Sequence, residues 1–311
     1  MKILVCIKNI VKSDIEIDDA GRWVQPRGME ERGMSRFDEN ALEAAMEIKD
    51  IFSRGYRFDE NRISKISGMG QYLKDVTVDV LSMGSHHALA SIRRGMGMGA
   101  DLGIHLVTGD GVGYVPGIVT ASSIAALIDL LKKEHPCKTP GGLFEYDLIL
   151  AGVMSEDMMQ AQVGPMLASF LDIPCITSVV EISLNPDWQL PMDARAGSWG
   201  QDNHGAMDIT VQRELEGGFR QEVSANFPIL LTIQAGINQP RYPSLSNVLK
   251  AGKKKILSYN INDLSPYHEE GKTSLVSFEY PVKKREGIML EGTREQKADK
   301  LAAILMDRGL V

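Results

Sequence analysis

The chain has 311 residues and a formal net charge of −7, with 34 basic side chains against 41 acidic ones. Because both signs are interspersed along the chain, the composition argues against nucleic acid or an anionic membrane as the main partner. The length suits one α/β domain of roughly 200 to 250 residues with appended segments.

The apolar runs and the cysteines indicate the compartment. The sequence has no apolar run of about 18 residues or more, and its N-terminal apolar run passes directly into polar residues. The three cysteines, Cys6, Cys137 and Cys175, lie far apart without a CxxC pair, so neither a disulfide framework nor a metal site is indicated. We therefore expect a cytoplasmic protein without direct membrane insertion.

Short apolar runs alternate with helical patterns over the first part of the chain. The runs are continuous and rich in β-branched residues, as in strands buried on both faces, and they span residues 2–7, 76–81, 103–107, 147–151 and 175–182. The helical patterns begin after Asp38, a candidate N-cap, and near residues 89 and 116. This alternation predicts an α/β fold with a doubly wound, mostly parallel sheet, which binds ligands at the carboxyl ends of its strands.

The pattern changes after Pro186. Residues 208–212 and 229–233 resemble strands with no helix between them, so we expect them to pair antiparallel at the edge of the sheet. Segments 214–227 and 236–246 are interpreted as linkers. Segments 52–75 and 185–207 are interpreted as insertions, because they lengthen otherwise compact connections.

The C-terminal part, residues 258–311, is predicted to be an arm that ends in an amphipathic helix. A capping box starts at Thr293 and precedes an apolar stripe of Ala298, Leu301, Ala302 and Leu305. Such a stripe needs a covering surface, either a second subunit or the core of the chain itself. We accordingly divide the chain into a nucleotide-binding α/β domain, residues 1–257, and this arm.

Common enzyme signatures are missing from the sequence, which has no GxxxxGK[ST], GxSxG or HExxH motif and no GxGxxG after the first strand. The glycines within residues 95–99 follow a helix, where the helix dipole disfavours an anion. Loop 152–164 is the better candidate, because it follows the fourth strand and ends at a helix N-terminus, whose free N–H groups favour phosphate. From position alone, an ordinary turn is an equal alternative.

Two segments carry a family resemblance: residues 211–232 read VQRELEGGFRQEVSANFPILLT, and residues 238–250 read NQPRYPSLSNVLK. Both resemble signature regions of electron-transfer flavoprotein beta subunits, and residues 37–45 and 98–105 are similar to further family positions. The resemblance implies a fold like that of the adenine-nucleotide alpha-hydrolases. It also implies a heterodimer with an alpha subunit, which holds the electron-transferring FAD and relays electrons between acyl-CoA-dehydrogenase-type enzymes and other carriers.

The resemblance further implies an adenine nucleotide in the beta subunit, which is AMP in housekeeping members and a second FAD in electron-bifurcating members. Residues 161–163 read AQV where housekeeping members have NQT, and this is similar to the bifurcating group. Backbone N–H groups suffice for an FAD diphosphate, whereas the doubly charged AMP phosphate calls for side-chain donors. FAD is therefore favoured, with AMP as the alternative. Bifurcation stays open, because residues 157–160 read DMMQ instead of the DGDT of bifurcating members.

The candidate cofactor-binding residues lie at strand ends and on loop 152–164. They are Cys6, Ile7, Lys8, Met83, Gly84, Gly152, Asp157, Ala161, Gln162, Val163 and Gly164. No catalytic residue is assigned.

Residues 242–251 resemble the family's recognition loop, in which a leucine inserts into the partner dehydrogenase. The corresponding anchor is Leu245, with Tyr242, Asn247 and Lys250 around it. A non-redox nucleotide-binding stress or regulatory protein of the same fold is the alternative function, and it would not need this loop. An independent NAD dehydrogenase ranks last, because the glycine fingerprint is missing.

Overall fold

A computed structural model of the chain describes residues 1–13, 16–18, 20–21, 23–24, 32–54, 76–109, 114–134, 145–184, 209–265, 276–277, 279–280 and 287–310. The chain divides into two compact units. Unit 1 comprises Met1–Asp14 and Gln25–Leu275, and unit 2 comprises Ile15–Val24 and Val276–Val311. Cys137, the insertion at 185–207 and residues 55–75 of the other insertion lie outside the described residues.

The described strands are β1 (Lys2–Cys6), β2 (Asn9–Val11), β3 (Glu16–Ile17), β4 (Trp23–Val24), β5 (Arg32–Met34), β6 (Thr77–Gly84), β7 (Leu102–Val107), β8 (Leu148–Gly152), β9 (Cys175–Leu184), β10 (Ile209–Glu214), β11 (Arg220–Ala225), β12 (Ile229–Ile233) and β13 (Ile256–Asn260). The described α-helices are α1 (Arg36–Arg54), α2 (Ala88–Met98), α3 (Gly117–Glu134), α4 (Val163–Phe170), α5 (Leu245–Lys253) and α6 (Arg294–Asp307). Each of these helices is too short or too polar to span a bilayer.

Unit 1 is built on one large sheet. Within the described residues, this sheet has nine strands in the order β11-β10-β9-β12-β8-β1-β6-β7-β13. Its centre is parallel, because β1 pairs in parallel with both β6 and β8. Ile3 and Val5 of β1 belong to the core cluster that contains α1 and α2 residues, whereas Leu4 and Cys6 belong to the cluster that contains α3 and α4 residues. Helices therefore cover both faces, as the continuous apolar runs predict.

The antiparallel edge of the sheet is confirmed, but its strands differ from those predicted. β10 pairs antiparallel with β9 and with β11, and β11 lies within the predicted linker 214–227. β12 lies between β8 and β9 and is parallel to both. The predicted pairing of 208–212 with 229–233 is therefore wrong. All five residues of β12 are buried, as in an interior strand of a parallel sheet, whereas most of β11 is exposed.

The start of α1 also differs from the prediction. The helix begins at Arg36, so Asp38 lies in its first turn and is not the N-cap. The Arg36 amide donates to Glu156 Oε2 over 2.8 Å. A side chain distant in sequence thus satisfies an amide of the first turn, and local sequence could not reveal this.

Most of the predicted recognition loop 242–251 is helical. α5 begins at Leu245, and its N-cap Ser244 accepts a hydrogen bond from the Asn247 amide through its side chain. β13 follows, pairs in parallel with β7 and crosses the predicted domain boundary at residue 257. The linker interpretation of 236–246 holds up to the cap.

Unit 2 contains the antiparallel pair β3 and β4 and the helix α6. The predicted capping box is confirmed: the Gln296 amide donates to Thr293 Oγ1 over 3.3 Å, and the Thr293 amide donates to Gln296 Oε1 over 3.0 Å. Several apolar side chains of this helix and its C-terminal end are exposed, among them Leu301, Met306 and Leu310.

Candidate functional site

The carboxyl ends of the central strands meet at one edge of the sheet. The register places Cys6 of β1 opposite Leu81 of β6 and Ala151 of β8. Cys6 and Ile7 are buried there, and the Ile7 amide donates to the Leu81 carbonyl over 2.8 Å. Burial, with a smaller contribution from the Asp38 charge, raises the pKa of the Cys6 thiol to about 12, so the thiol is not a nucleophile near neutral pH.

Loop 152–164 leaves the sheet beside the end of β1. We call residues 152–159 its anchored half and residues 160–164 its open half. Lys8 Nζ lies 2.8 Å from Asp157 Oδ2 and 3.4 Å from Ser155 Oγ. The structure thus brings two of the predicted site residues, Lys8 and Asp157, into direct contact.

Asp38 ties this region together from the first turn of α1. Its Oδ2 accepts from the Lys8 amide over 2.7 Å, and its Oδ1 accepts from the Gly152 amide over 3.0 Å. One carboxylate therefore joins the ends of β1 and β8. Burial raises the pKa of Asp38 to about 7, although the two N–H donors and the charge of Lys8 act in the opposite direction.

Gly152 makes a close packing contact with the same turn of α1. A Cβ at position 152 would lie 2.5 Å from Asp38 Oδ1 and 2.7 Å from Phe37 Cβ. Gly152, a candidate cofactor-binding residue, therefore lies close to α1. Because its amide donates to Asp38, Gly152 has no free N–H for a ligand.

The open half offers a different set of groups. Within the described part of the chain, the amides of Ala161, Gln162, Val163 and Gly164 have no hydrogen-bond partner. Ala161 and Gln162 are exposed. The N-cap Gln162 makes no side-chain capping bond, and the first turn of α4 carries no acidic residue. A helix N-terminus of this kind favours an anion through its N–H groups and its dipole.

The open half is held in place by neighbouring elements. A Cβ at Gly117 would lie 2.9 Å from Gln162 Oε1, which places the Gln162 side chain against the first residue of α3. A Cβ at Gly164 would lie 2.6 Å from Thr232 Cγ2 of β12. The Gln160 side chain donates to the Tyr114 hydroxyl over 3.2 Å. The residues present fit a nucleotide diphosphate, because unbonded amides lie on a supported turn while Lys8 neutralises the nearby acid Asp157.

Met83 and Gly84 lie at the end of β6, on the side of β1 away from the loop. The Gly84 carbonyl accepts from the Thr108 amide over 3.0 Å and lies 3.0 Å from Nε2 of the buried His105. Among the described residues, no hydrogen bond joins Met83 or Gly84 to loop 152–164.

The predicted partner-binding residues lie on and just before α5. Tyr242 and Leu245 are 89% and 77% exposed, so they are available to a partner. Asn247 serves the helix cap through its amide, and Lys250 lies in the last turn. We call the exposed side chains of Tyr242, Leu245, Val248 and Leu249 the α5 apolar surface.

The α5 apolar surface has a rigid base. Before the helix, Arg241 binds the buried Glu43 with two nitrogens and Asp50 with a third, all within 2.8 to 3.0 Å. The side-chain amides of Asn40 and Asn238 each donate to the other residue's backbone carbonyl, at 3.1 and 3.0 Å, and the Asn40 amide also donates to Asn238 Oδ1 at 2.9 Å. These contacts fix the segment to α1, so the apolar side chains are presented from an ordered support.

Sequence reasoning missed two residues of this site, Asp38 and Glu156. The segment around Asp38 resembled the family, yet a carboxylate near a helix start is equally typical of a cap. No local pattern marks Glu156, because its partners Arg36 and Lys12 are more than a hundred residues away.

A mostly parallel sheet covered by helices, with amides at its carboxyl edge that are unbonded among the described residues, defines an α/β protein of the class that binds ligands at its strand ends. A family model described as "Electron transfer flavoprotein domain" matches residues 68–264. The chain belongs to the electron transfer flavoprotein family, as a beta subunit.

Curated relatives agree with this assignment and match along nearly the whole chain. The electron transfer flavoprotein subunit beta of Methylophilus methylotrophus is 30% identical over 311 residues, covering 98% of each chain. The protein of the same name from Bacillus subtilis is 26% identical, covering 94% of this chain and 90% of its own. That from Homo sapiens is also 26% identical, covering 95% of this chain and 94% of its own.

Proposed function

We propose that this chain works with an alpha subunit as an electron carrier between acyl-CoA-dehydrogenase-type enzymes and other carriers, and that it holds its own FAD at loop 152–164. Family membership supports the carrier role and the alpha subunit. The observation that carries the FAD assignment is the set of unbonded amides at Ala161–Gly164.

The side chains of the open half favour FAD over AMP. Ala161 and Val163 bring no polar side-chain atom, and Gln162 packs against Gly117. A terminal AMP phosphate carries two negative charges and needs several side-chain donors, whereas each phosphate of a diphosphate linkage carries one. Backbone N–H groups at a helix N-terminus are sufficient for the latter.

The residues of the chain would hold and orient the nucleotide. The open half would bind the diphosphate, and the ends of β1 and β6, at Cys6–Lys8 and Met83–Gly84, would lie along the remainder. FAD supplies one- and two-electron transfer when bound. In this arrangement the chain contributes binding and electrostatics.

The nucleotide content of the purified alpha–beta complex tests the proposal. We expect two FAD per heterodimer, released by heat and counted by chromatography, and no AMP. One FAD and one AMP per heterodimer would overturn the FAD assignment while leaving the carrier role in place. A complex without electron transfer from any acyl-CoA dehydrogenase would overturn the carrier role.

Electron bifurcation is the finer form of this function. A second flavin in the beta subunit is the group that would accept an electron pair from NADH, so the two-FAD complex should reduce a low-potential acceptor when NADH and a high-potential acceptor are both present. Absence of low-potential reduction would limit the protein to simple relay.

We further propose that the α5 apolar surface docks the dehydrogenase. Leu245 is the central anchor and Tyr242 flanks it, while Lys250, Lys253 and Lys255 provide positive charge toward an acidic partner. Arg94 lies 5.8 Å from the Tyr242 ring centre, which orients that ring.

Replacement of Leu245 by alanine tests the docking surface. Loss of a central apolar anchor should lower kcat/KM for the dehydrogenase by about tenfold or more, with unchanged flavin content. Val276→Ala is the matched control, because Val276 is 93% exposed and is not one of the four residues that define this surface. Equal rates for both variants would remove the docking role from α5.

We propose that the exposed apolar residues of α6 pack on the alpha subunit. Leu301 is 48% exposed although it lies on a capped helix. Leu301→Asp should raise the dissociation constant of the heterodimer, whereas Glu295→Gln in the first turn should leave it unchanged. An unchanged constant for Leu301→Asp would place the alpha subunit elsewhere.

A further inference from the structure

We propose that Asp38 is the positioning residue of the nucleotide site: its carboxylate sets the distance between the ends of β1 and β8 and so gives loop 152–164 its binding geometry. The inference rests on the proposed function, since it concerns the same nucleotide site. Within the described residues, Asp38 makes no hydrogen bond to the amides of the open half.

The Asp38 carboxylate joins two strand ends. Both oxygens of Asp38 are used, Oδ2 by the Lys8 amide at 2.7 Å and Oδ1 by the Gly152 amide at 3.0 Å. Lys8 and Gly152 are the residues at which β1 and β8 reach the ligand edge. Because an ionised carboxylate can accept at both oxygens simultaneously, a short aspartate side chain satisfies two converging N–H donors.

Side-chain contacts connect these strand ends to the anchored half of the loop. Lys8 extends from the first clamped amide and binds Asp157 and Ser155. Glu156, next to Asp157, accepts from the amide of Arg36 in the same turn of α1 as Asp38. Two connections therefore hold the anchored half to the first turn of α1: one runs from Asp38 through Lys8 to Asp157, and the other joins Arg36 to Glu156. A change at Asp38 should shift both connections.

The contact between Gly152 and α1 is close and buried. Gly152 lies so close to the α1 turn that a Cβ would meet Phe37 and Asp38 at under 3 Å. Asp38 is only 6% exposed, so water cannot replace its bonds without local opening. The turn of α1 and the end of β8 are thus in close packing contact.

The hydrogen bonds from the Lys8 and Gly152 amides to Asp38 depend on pH, because they require an ionised carboxylate. The charged and titratable groups around Asp38 are Cys6 and Lys8 from β1 and its end and Asp157 from the loop. Burial raises the pKa of Asp38 to about 7. A protonated Asp38 resembles asparagine, because one of its two polar atoms becomes a donor and opposes one of the two amides.

A comparison of Asp38→Asn with Asp79→Asn, both in the complex with the alpha subunit, tests the positioning role. Asp79 is a matched control, because it is a buried carboxyl with a raised pKa, bound by the Tyr146 hydroxyl at 3.0 Å within the sheet and away from the loop. Equilibrium dialysis against FAD measures flavin bound beyond the first per heterodimer. AMP replaces FAD as the probe if the purified complex carries AMP.

We expect Asp38→Asn to weaken nucleotide binding about tenfold at about pH 8.5, since one of the two amides, of Lys8 or Gly152, loses its acceptor. The difference from the unmutated protein should vanish at about pH 5.5, where Asp38 is protonated. Asp79→Asn should lower the melting temperature of the complex without changing nucleotide affinity by more than about twofold. Asp38→Ser, with a single short acceptor, replaces Asp38→Asn if that complex does not assemble.

Three results would overturn the positioning role of Asp38: equal affinities for Asp38→Asn and the unmutated protein at high pH, a difference independent of pH, or an equal loss for Asp79→Asn. Nucleotide identity is read from the same samples. AMP in place of FAD therefore refutes the FAD assignment without affecting the test of Asp38, which depends only on the ratio of affinities.

Discussion

The two halves of loop 152–164 use their polar groups in opposite ways. The anchored half satisfies itself inside the protein, with Gly152 bound to Asp38 and Asp157 bound to Lys8. In the open half, the amides from Ala161 to Gly164 have no partner within the described residues. One continuous loop can therefore separate support from binding, because unbonded N–H groups need a fixed base if they are to select a ligand.

The largest expected effect is a loss of stability at Gly152, in the anchored half. Gly152→Ala should lower the free energy of unfolding by about 2 kcal/mol, because its Cβ meets backbone and side-chain atoms of α1 that cannot yield. Thermal unfolding of the alpha–beta complex measures the loss. Gly252→Ala is the control, since nothing packs within 4 Å of the position that a Cβ would take there and alanine favours the helix α5. A neutral Gly152→Ala would mean that the α1 contact is loose.

The next effect concerns the open half. Gln162→Glu keeps the shape of the side chain but adds a negative charge beside the unbonded amides, and it should weaken an anionic nucleotide roughly tenfold. The melting temperature should stay constant or rise slightly, because a carboxylate suits a helix N-terminus. Equilibrium dialysis against FAD reports the affinity.

Gln221→Glu controls for the added charge, because Gln221 is exposed on β11. If both variants bind the nucleotide equally well, the open half is not where the phosphate lies.

A smaller effect on the free energy of unfolding is expected at the ion pair between Lys8 and Asp157. Lys8→Met breaks the 2.8 Å ion pair with Asp157 and should cost about 1 kcal/mol, because the Lys8 side chain is partly exposed and the pair is screened. A double-mutant cycle with Asp157→Asn, followed by thermal unfolding, isolates the pairing energy. Additive losses in the cycle would show that the two charges are independent.

The smallest effect should come from Met159, at the boundary of the two halves. Met159 has a φ of 51°, which is unfavourable for a side chain with a Cβ, and it is 65% exposed. Met159→Gly should therefore stabilise the folded chain by about 0.5 kcal/mol after the entropy cost of glycine. Met154→Gly, at a residue without positive φ, should instead destabilise it, as differential scanning calorimetry can measure. A loss at both positions would indicate that Met159 contributes packing.

The sequence predicted much of the architecture and less of the connectivity. Continuous apolar runs located the strands β1, β6, β7, β8 and β9, because burial on both faces leaves a pattern in the residues themselves. The pairing of β12 with β8 and β9 was not predictable in this way, since a short buried strand carries no record of its neighbours. The capping box at Thr293 was predictable because both of its hydrogen bonds lie within four residues.

The candidate site divides in the same manner. The sequence identified loop 152–164 as the ligand loop, because ligands bind at the carboxyl edge of such sheets. The side chains at residues 161–163 can be read directly from the sequence. The role of Asp38 does not, because its partners Lys8 and Gly152 lie 30 and 114 residues away. The helical form of residues 245–253 was also missed, since Pro243 and two serines resemble a loop until the Ser244 cap is seen.

Local composition and the order of motifs are enough to establish the α/β class, the family and the loop that precedes α4. Which groups of that loop are already bonded is a property of the tertiary structure alone. Hydrogen bonds between distant residues depend on how strands are arranged in the sheet, and this arrangement placed Asp38 between Lys8 and Gly152 while it left the amides from Ala161 to Gly164 unbonded within the described part of the chain.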